Sequence, residues 1–354
     1  MRKIFIIILL FMIIIGFGNE PLQAERNYVN IETASALLDL MDEVAAGKVK
    51  TKEQILIHLN NIYNTEGYRK VCQHQNYNPR QNKMMNRIYY VCDSIINDKI
   101  DQLSGRELYY YEIYQHRDQY RDFINRFKGW EPATSALNKT YSYFPKKITF
   151  TGTIYFTMDG RSDAYTLNSD IIISIYQIKK MIEERGMDFN KELIPHEFHH
   201  ILTKQLLFKK YGEQLKDSTA LPYFLGYIML EGYAVEATAD KNTKNGVYMM
   251  KRSEEQIYNL FKDIEKVITD KNKYPDRSWR SIYRDYFSKM IDIYTVGTTM
   301  VQAIEGRFGK EVLVNTLENP PGFFKLYQNA ATDDDKLYKF SDQVMNIISE
   351  SFMK

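Results

Sequence analysis

Apolar and polar residues recur with a helical period over most of this chain. The stretch 32–46 is amphipathic and ends at Gly47. Thr51 with Gln54 forms a capping-box signature ahead of Ile55, Leu56, Leu59 and Ile62. Further helices are predicted over 81–97 and 106–127. The second of these carries Tyr109, Tyr110, Tyr111, Tyr114 and Tyr120, and aromatics at helical spacing read as core before they read as a binding surface. From Ile148 the period shortens. Ile148, Phe150, Ile154 and Phe156, then the run 171–175, are β-branched or aromatic and flank Asp159-Gly160, a hairpin turn signal. Helical spacing then resumes over 175–185, 190–211, 222–241, 253–271 and 279–307. A last helix is predicted near the C-terminus, after Pro320, Pro321 and Gly322 interrupt the pattern. The fold class expected is α+β, predominantly α-helical, with one small sheet. No repeat or low-complexity linker divides the chain, and the best boundary lies near residue 145.

The first 24 residues stand apart. Arg2 and Lys3 precede an unbroken apolar run from Ile4 to Ile15, too short for the roughly 20 residues a spanning helix needs. This predicts a secretory signal peptide over 1–24, cleaved after Gly18 or Ala24, with an uncleaved anchor as the alternative. The expected organisation is therefore a signal at 1–24, a helical region at 25–145 and a second domain at 146–354. The expected location is secreted or in the cell envelope, with membrane contact limited to the signal or anchor.

Charge narrows the function classes. The chain has 354 residues, with 47 Lys and Arg against 45 Asp and Glu. Losing Arg2, Lys3 and Glu20 with the signal leaves 45 basic and 44 acidic residues. A near-neutral chain without a basic stripe is not expected to bind nucleic acid. Cys72 and Cys92 are the two cysteines. Export permits a disulfide between them, and two separate buried thiols are the equal alternative; neither has a CxxC partner.

Three of the six histidines fall within five positions, in His196-Glu197-Phe198-His199-His200. This is an HExxH sequence, which chance would place in such a chain roughly 0.6% of the time. On a helix, residues four apart lie about 6 Å along the axis and close in azimuth, so His196 and His200 can reach one ion. Neutral imidazoles suit Zn2+ and leave room for a third ligand and a water. Glu197 then stands where it can take a proton from a metal-activated water. His199 falls to the other side of His196 and reads as a neighbour. Pro195 either begins the helix or loosens its first turn.

The next helical stretch contains Glu231-Gly232-Tyr233-Ala234 and, further on, Glu236 and Asp240. HExxH followed by Glu-Gly-x-Ala resembles the gluzincin zinc metallopeptidases, which include thermolysin-like enzymes and zinc aminopeptidases. At the level of layout the chain is also similar to bacterial zinc-dependent peptidases of undefined substrate. The resemblance spans about residues 148–310. It implies a zincin-like catalytic domain with an active-site helix, Zn2+ as cofactor and Glu231 as third ligand. A competing registration uses Glu236, with Asp240 orienting a ligand histidine. Tyr294-Thr295-Val296-Gly297 looks like the Tyr-x-x-Gly element of the aminopeptidase branch, which implies that Tyr294 hydrogen-bonds the oxyanion. Thirty residues separate His200 from Glu231, longer than in that branch, and its Gly-x-Met-Glu-Asn segment is missing. The function implied is an exported peptidase acting on a peptide or protein, with the strand near 151–156 adding to the substrate backbone. The competing class is a non-catalytic envelope binding protein on a zincin-like scaffold.

Overall fold

The computed structural model describes residues 29–76, 83–128, 138, 140–145, 152–159, 164–185, 192–217, 219–238, 252–270, 277–279, 281–282 and 292–353. The expected signal at 1–24, Ile148, Phe150, Gly160 and Asp240 lie outside the described residues. A short strand, Val29–Asn30 (β1), leads into six helices: Glu32–Ala45 (α1), Lys52–Asn64 (α2), Glu66–Gln75 (α3), Lys83–Ile96 (α4), Glu107–Gln115 (α5) and Arg117–Asn125 (α6). In α1 the buried residues Ala34, Leu37, Leu38, Met41 and Val44 recur at the spacing of one helix face. Gly47, at φ +64°, closes the turn beyond it in a conformation that favours glycine. The capping box forms at α2, where Gln54 N donates to Thr51 Oγ1 at 3.3 Å and Thr51 N donates to Gln54 Oε1 at 3.2 Å. The single helix expected over 106–127 is two, broken at His116, whose φ of −112° leaves the helical region. Helix α3 was not expected at all: Tyr68, Val71 and Cys72 bury one face, too short a pattern to register. Of the tyrosines in α5 and α6, Tyr110 and Tyr120 are buried, as the core reading requires.

The sheet adds Ile154–Thr157 (β2), Ala164–Leu167 (β3) and Asp170–Ser174 (β4) to β1, in the order β1-β2-β4-β3. The β1–β2 and β2–β4 pairs are parallel; β3 and β4 are antiparallel. This corrects the hairpin expected at Asp159-Gly160. The tight connection is instead at Asn168, φ +55°, between β3 and β4. Asp159 is buried and accepts a bond from Gln75 Nε2 at 3.4 Å, so its carboxylate anchors α3. Strands β2 and β4 are fully buried, as central strands covered on both faces must be. A strand paired on both sides cannot accept a substrate backbone. The strand expected to do so therefore lies inside the sheet, and among the described residues the edge strand on that side is β3.

Among the described residues eight α-helices follow: Ile175–Arg185 (α7), Ile194–Lys216 (α8), Leu221–Thr238 (α9), Glu254–Thr269 (α10), Asp292–Phe308 (α11), Lys310–Asn315 (α12), Pro320–Thr332 (α13) and Asp342–Ser351 (α14). Pro320 and Pro321 begin a helix here where a break was expected. A proline in the first turn loses no hydrogen bond, and Asn319 caps the turn by accepting from Gly322 N at 3.3 Å. Nearly every residue of α9 is buried, so it is the central helix, held between α8 and α11. The N-terminal helices share the sheet with the rest: Lys70 of α3 pairs with Asp170 of β4 at 2.6 Å, and Tyr176 of α7 donates to Glu112 of α5 at 2.8 Å. Buried residues on both sides of position 145 form one continuous core. Cys72 and Cys92 are buried in α3 and α4 as separate thiols. Among the described residues no helix is long and apolar enough to cross a membrane.

Candidate metal centre

Helix α8 starts with Pro195 in its first turn, where the missing N–H is no loss. Its opening residues carry the HExxH side chains into the protein: His196, Glu197, His199 and His200 are all buried. The i, i+4 spacing brings His196 Nε2 and His200 Nε2 to 3.0 Å, with the rings at 87° to one another. Helix α9 delivers Glu231 to the same point. Its Oε2 lies 3.5 Å from His196 Nε2 and 3.2 Å from His200 Nε2. Among the described residues these three form the one cluster whose ligand atoms could close on a single ion.

The triangle they make fits zinc. A tetrahedral centre with bonds of about 2.0–2.1 Å sets its ligand atoms about 3.3 Å apart, against 3.0, 3.2 and 3.5 Å here. Glu231 Oε2 is buried and makes no well-formed hydrogen bond. A carboxylate oxygen left that way is costly unless a cation faces it. The protonation states fit as well. Burial pulls the His200 imidazole below its ordinary range, with Glu231 pulling in the opposite direction. Burial pushes the Glu231 carboxyl up, but His200 and His196 outweigh it and hold the group well below the usual carboxylate range. Neutral imidazole and ionised carboxylate are what a metal ion needs from its ligands.

Glu236 lies elsewhere. Five positions along a helix turn it about 140° from Glu231, and its carboxylate accepts from Gln302 Nε2 of α11 at 2.9 Å. Among the described residues the cluster that gathers the two histidines holds Glu231 and not Glu236. Tyr294 is brought in by α11: its ring centroid is 6.1 Å from that of His196. The closeness of α9 and α11 explains both glycines of the two motifs. A Cβ on Gly297 would run into the Ile228 carbonyl and lie 2.8 Å from Gly232 N; one on Gly232 would lie 2.7 Å from Gly297 Cα. Glu231-Gly232 and Tyr294-x-x-Gly297 are thus two halves of one helix crossing, and the side chains beside it are set by backbone contact. Arg252 Nη2 pairs with Asp292 Oδ1 at 2.5 Å, fixing the start of α11 two residues before Tyr294.

His199 serves the core. The Thr203 hydroxyl donates to the His199 carbonyl at 2.8 Å, which leaves its oxygen to accept from Nδ1–H at 3.0 Å. Its ring stacks on Tyr233 at 5.9 Å, and burial holds it neutral, with His200 and His196 adding to the effect.

Lys204 was not singled out from sequence, although it continues the spacing His196, His200 by one more turn. Its Nζ donates to Thr166 Oγ1 of β3 at 2.7 Å. Burial draws its ammonium below the ordinary lysine range, opposed by Glu197 and Glu231. Next to it His74 stacks on Tyr165 of β3, with centroids 3.8 Å apart, and is itself lowered by burial and by Lys204.

Comparison with known proteins bears on the same residues. A family model described as "Putative zinc dependent peptidase (DUF5700)" matches residues 59–336, which include the whole centre. Neither a curated protein nor a solved structure matches the chain.

Proposed function

We propose that the chain, which belongs to that family, is an exported zinc peptidase cleaving peptide bonds, a reading supported by this membership together with the centre. The observation that carries the proposal is the convergence of His196, His200 and Glu231 at 3.0–3.5 Å. A bound zinc would polarise the scissile carbonyl and acidify a water beside it. Glu197, one residue from a ligand and buried, takes that water's proton and returns it to the leaving amine. Tyr294 stands beside His196, where its phenol can donate to the oxygen that becomes negative in the transition state. The edge strand β3, which packs against α8, receives the extended substrate as an added strand. The apolar run at 4–15 supports export.

The test is Glu197→Gln assayed beside the wild type on a random peptide mixture, with metal content measured for both. The expected result is about one zinc per chain in each protein and a loss of roughly 10²–10⁴ in rate for the variant. Equal activity in the two proteins would rule out the glutamate mechanism. Zinc without cleavage in the wild type would leave a metal-binding envelope protein.

A further inference from the structure

Among the described residues, a positive charge, Lys204, interacts with Glu197 and Glu231 of the centre. Lys204 is half-buried one helical turn past His200, pinned at 2.7 Å to the Thr166 hydroxyl on the edge strand β3. Among the described residues no carboxylate lies within ion-pair distance of its ammonium, so one neutral hydroxyl is its hydrogen-bond partner. Glu197 and Glu231 offset part of the cost of burying this cation, but neither carboxylate is within ion-pair distance, and an ammonium can donate more bonds than the one its hydroxyl partner takes. The hydroxyl fixes where it points, between α8 and the strand along which the substrate would lie. We propose that Lys204 is a specificity residue that binds a carboxylate of the substrate close to the scissile bond.

The proposal rests on the peptidase reading and deepens it. Lys204 is about 6 Å along the helix axis from His200, and extended chain advances about 3.3 Å per residue. The carboxylate recognised therefore belongs one or two residues from the bond cut. Two sources supply that chemistry: the free C-terminus of a short peptide, or an Asp or Glu side chain within a longer one. The first would make the protein a carboxypeptidase or dipeptidyl carboxypeptidase, the second an endopeptidase selective for acidic sequences. Charge-assisted pairing in a half-buried site discriminates by roughly 10- to 100-fold.

The experiment uses three forms of one acetylated alanine-rich pentapeptide: free acid, C-terminal amide, and amide with a glutamate scanned along it. Equilibrium binding and cleavage of each are measured on the zinc-loaded full chain, for wild type, Lys204→Met and Lys204→Arg. The expected result is tighter binding and higher kcat/KM for either the free acid or one glutamate position, by at least tenfold over the neutral amide. Lys204→Met loses that preference, the ratio of carboxylate form to neutral amide falling to about one; Lys204→Arg keeps it. A preference for the free acid assigns the terminal carboxylate, and one for a glutamate position assigns the side chain. Wild type that treats all three forms alike overturns the proposal, without recourse to any variant. So does a preference that survives in Lys204→Met. If the carboxylate is preferred in binding but nothing is cleaved, the peptidase reading falls and the anion subsite stands.

Discussion

Replacing Gly297 by alanine probes the helix crossing that joins the third ligand to the tyrosine. In an ordinary helix the change stabilises, because alanine exceeds glycine by about 1 kcal/mol in helix propensity. Here the new methyl would lie 2.8 Å from Gly232 N and 2.9 Å from Gly232 Cα, and it would overlap the Ile228 carbonyl. Ordinary contact begins near 3.4 Å, so α11 must retreat from α9 by at least half an ångström. The neighbours are backbone atoms of a fully packed helix, which cannot turn aside. Overpacking of this kind costs about 1–3 kcal/mol, and the propensity gain offsets only part of it. Gly306, in the same helix, has nothing within 4 Å of its missing Cβ. Gly306→Ala should therefore stabilise by about 0.5–1 kcal/mol while Gly297→Ala destabilises, a difference in sign within one helix. Urea denaturation followed by circular dichroism reads both. Gly297→Ala should also lower the rate of peptide cleavage, since it moves Tyr294 and Glu231 relative to each other. A Gly297→Ala protein as stable as Gly306→Ala would show that the two helices have room between them and that the crossing is not set by backbone contact.

Two further outcomes follow from the site and the core. Tyr294→Phe should lower kcat by roughly 10²-fold or more with zinc content and KM unchanged, as a donor acting only on the transition state must; a change confined to KM in steady-state kinetics would remove that role. Cys72 and Cys92 should both be alkylated in denatured, unreduced protein, giving two adducts by mass spectrometry, and native Cys92 should stay unmodified at pH 8. Burial pushes the Cys92 thiol up to about 12, so the unfolded chain loses its proton first as pH rises. Its contribution is complete below about pH 8.5 and is lost at about 1.4 kcal/mol per pH unit between there and pH 12. Cys92→Ala should flatten that part of the pH–stability curve.

Much of this was legible because it is local. The capping box at Thr51 and the bounds of α1, α4 and α7 follow from spacing within one or two turns, and so does the His196–His200 pair. What was not legible depends on distant partners. Asp159-Gly160 carries turn chemistry, but the pairing of β2 with β4 is parallel and decided by burial on both faces, which no local signal encodes. Pro320 and Pro321 read as a break because the same residue both stops and starts helices; Asn319 as cap decides the matter. Glu231 and Glu236 could not be separated by motif alone. The azimuth of α9 separates them, and that is fixed by Gly232 meeting Gly297 across the crossing. Lys204 was passed over because a lysine on a helix is ordinarily solvated, and its hydroxyl partner sits on a strand 38 residues away.

The most direct test of the central claim is the zinc content of the purified full chain, wild type against Glu231→Gln and Glu236→Gln, each with its affinity measured by competition with a chelator. The expected result is about one zinc per chain in the wild type, unchanged affinity in Glu236→Gln, and a loss of at least 10²-fold in Glu231→Gln. A wild-type chain that binds no zinc, or a Glu236→Gln protein that loses the metal while Glu231→Gln keeps it, would mean that His196, His200 and Glu231 do not form the zinc site.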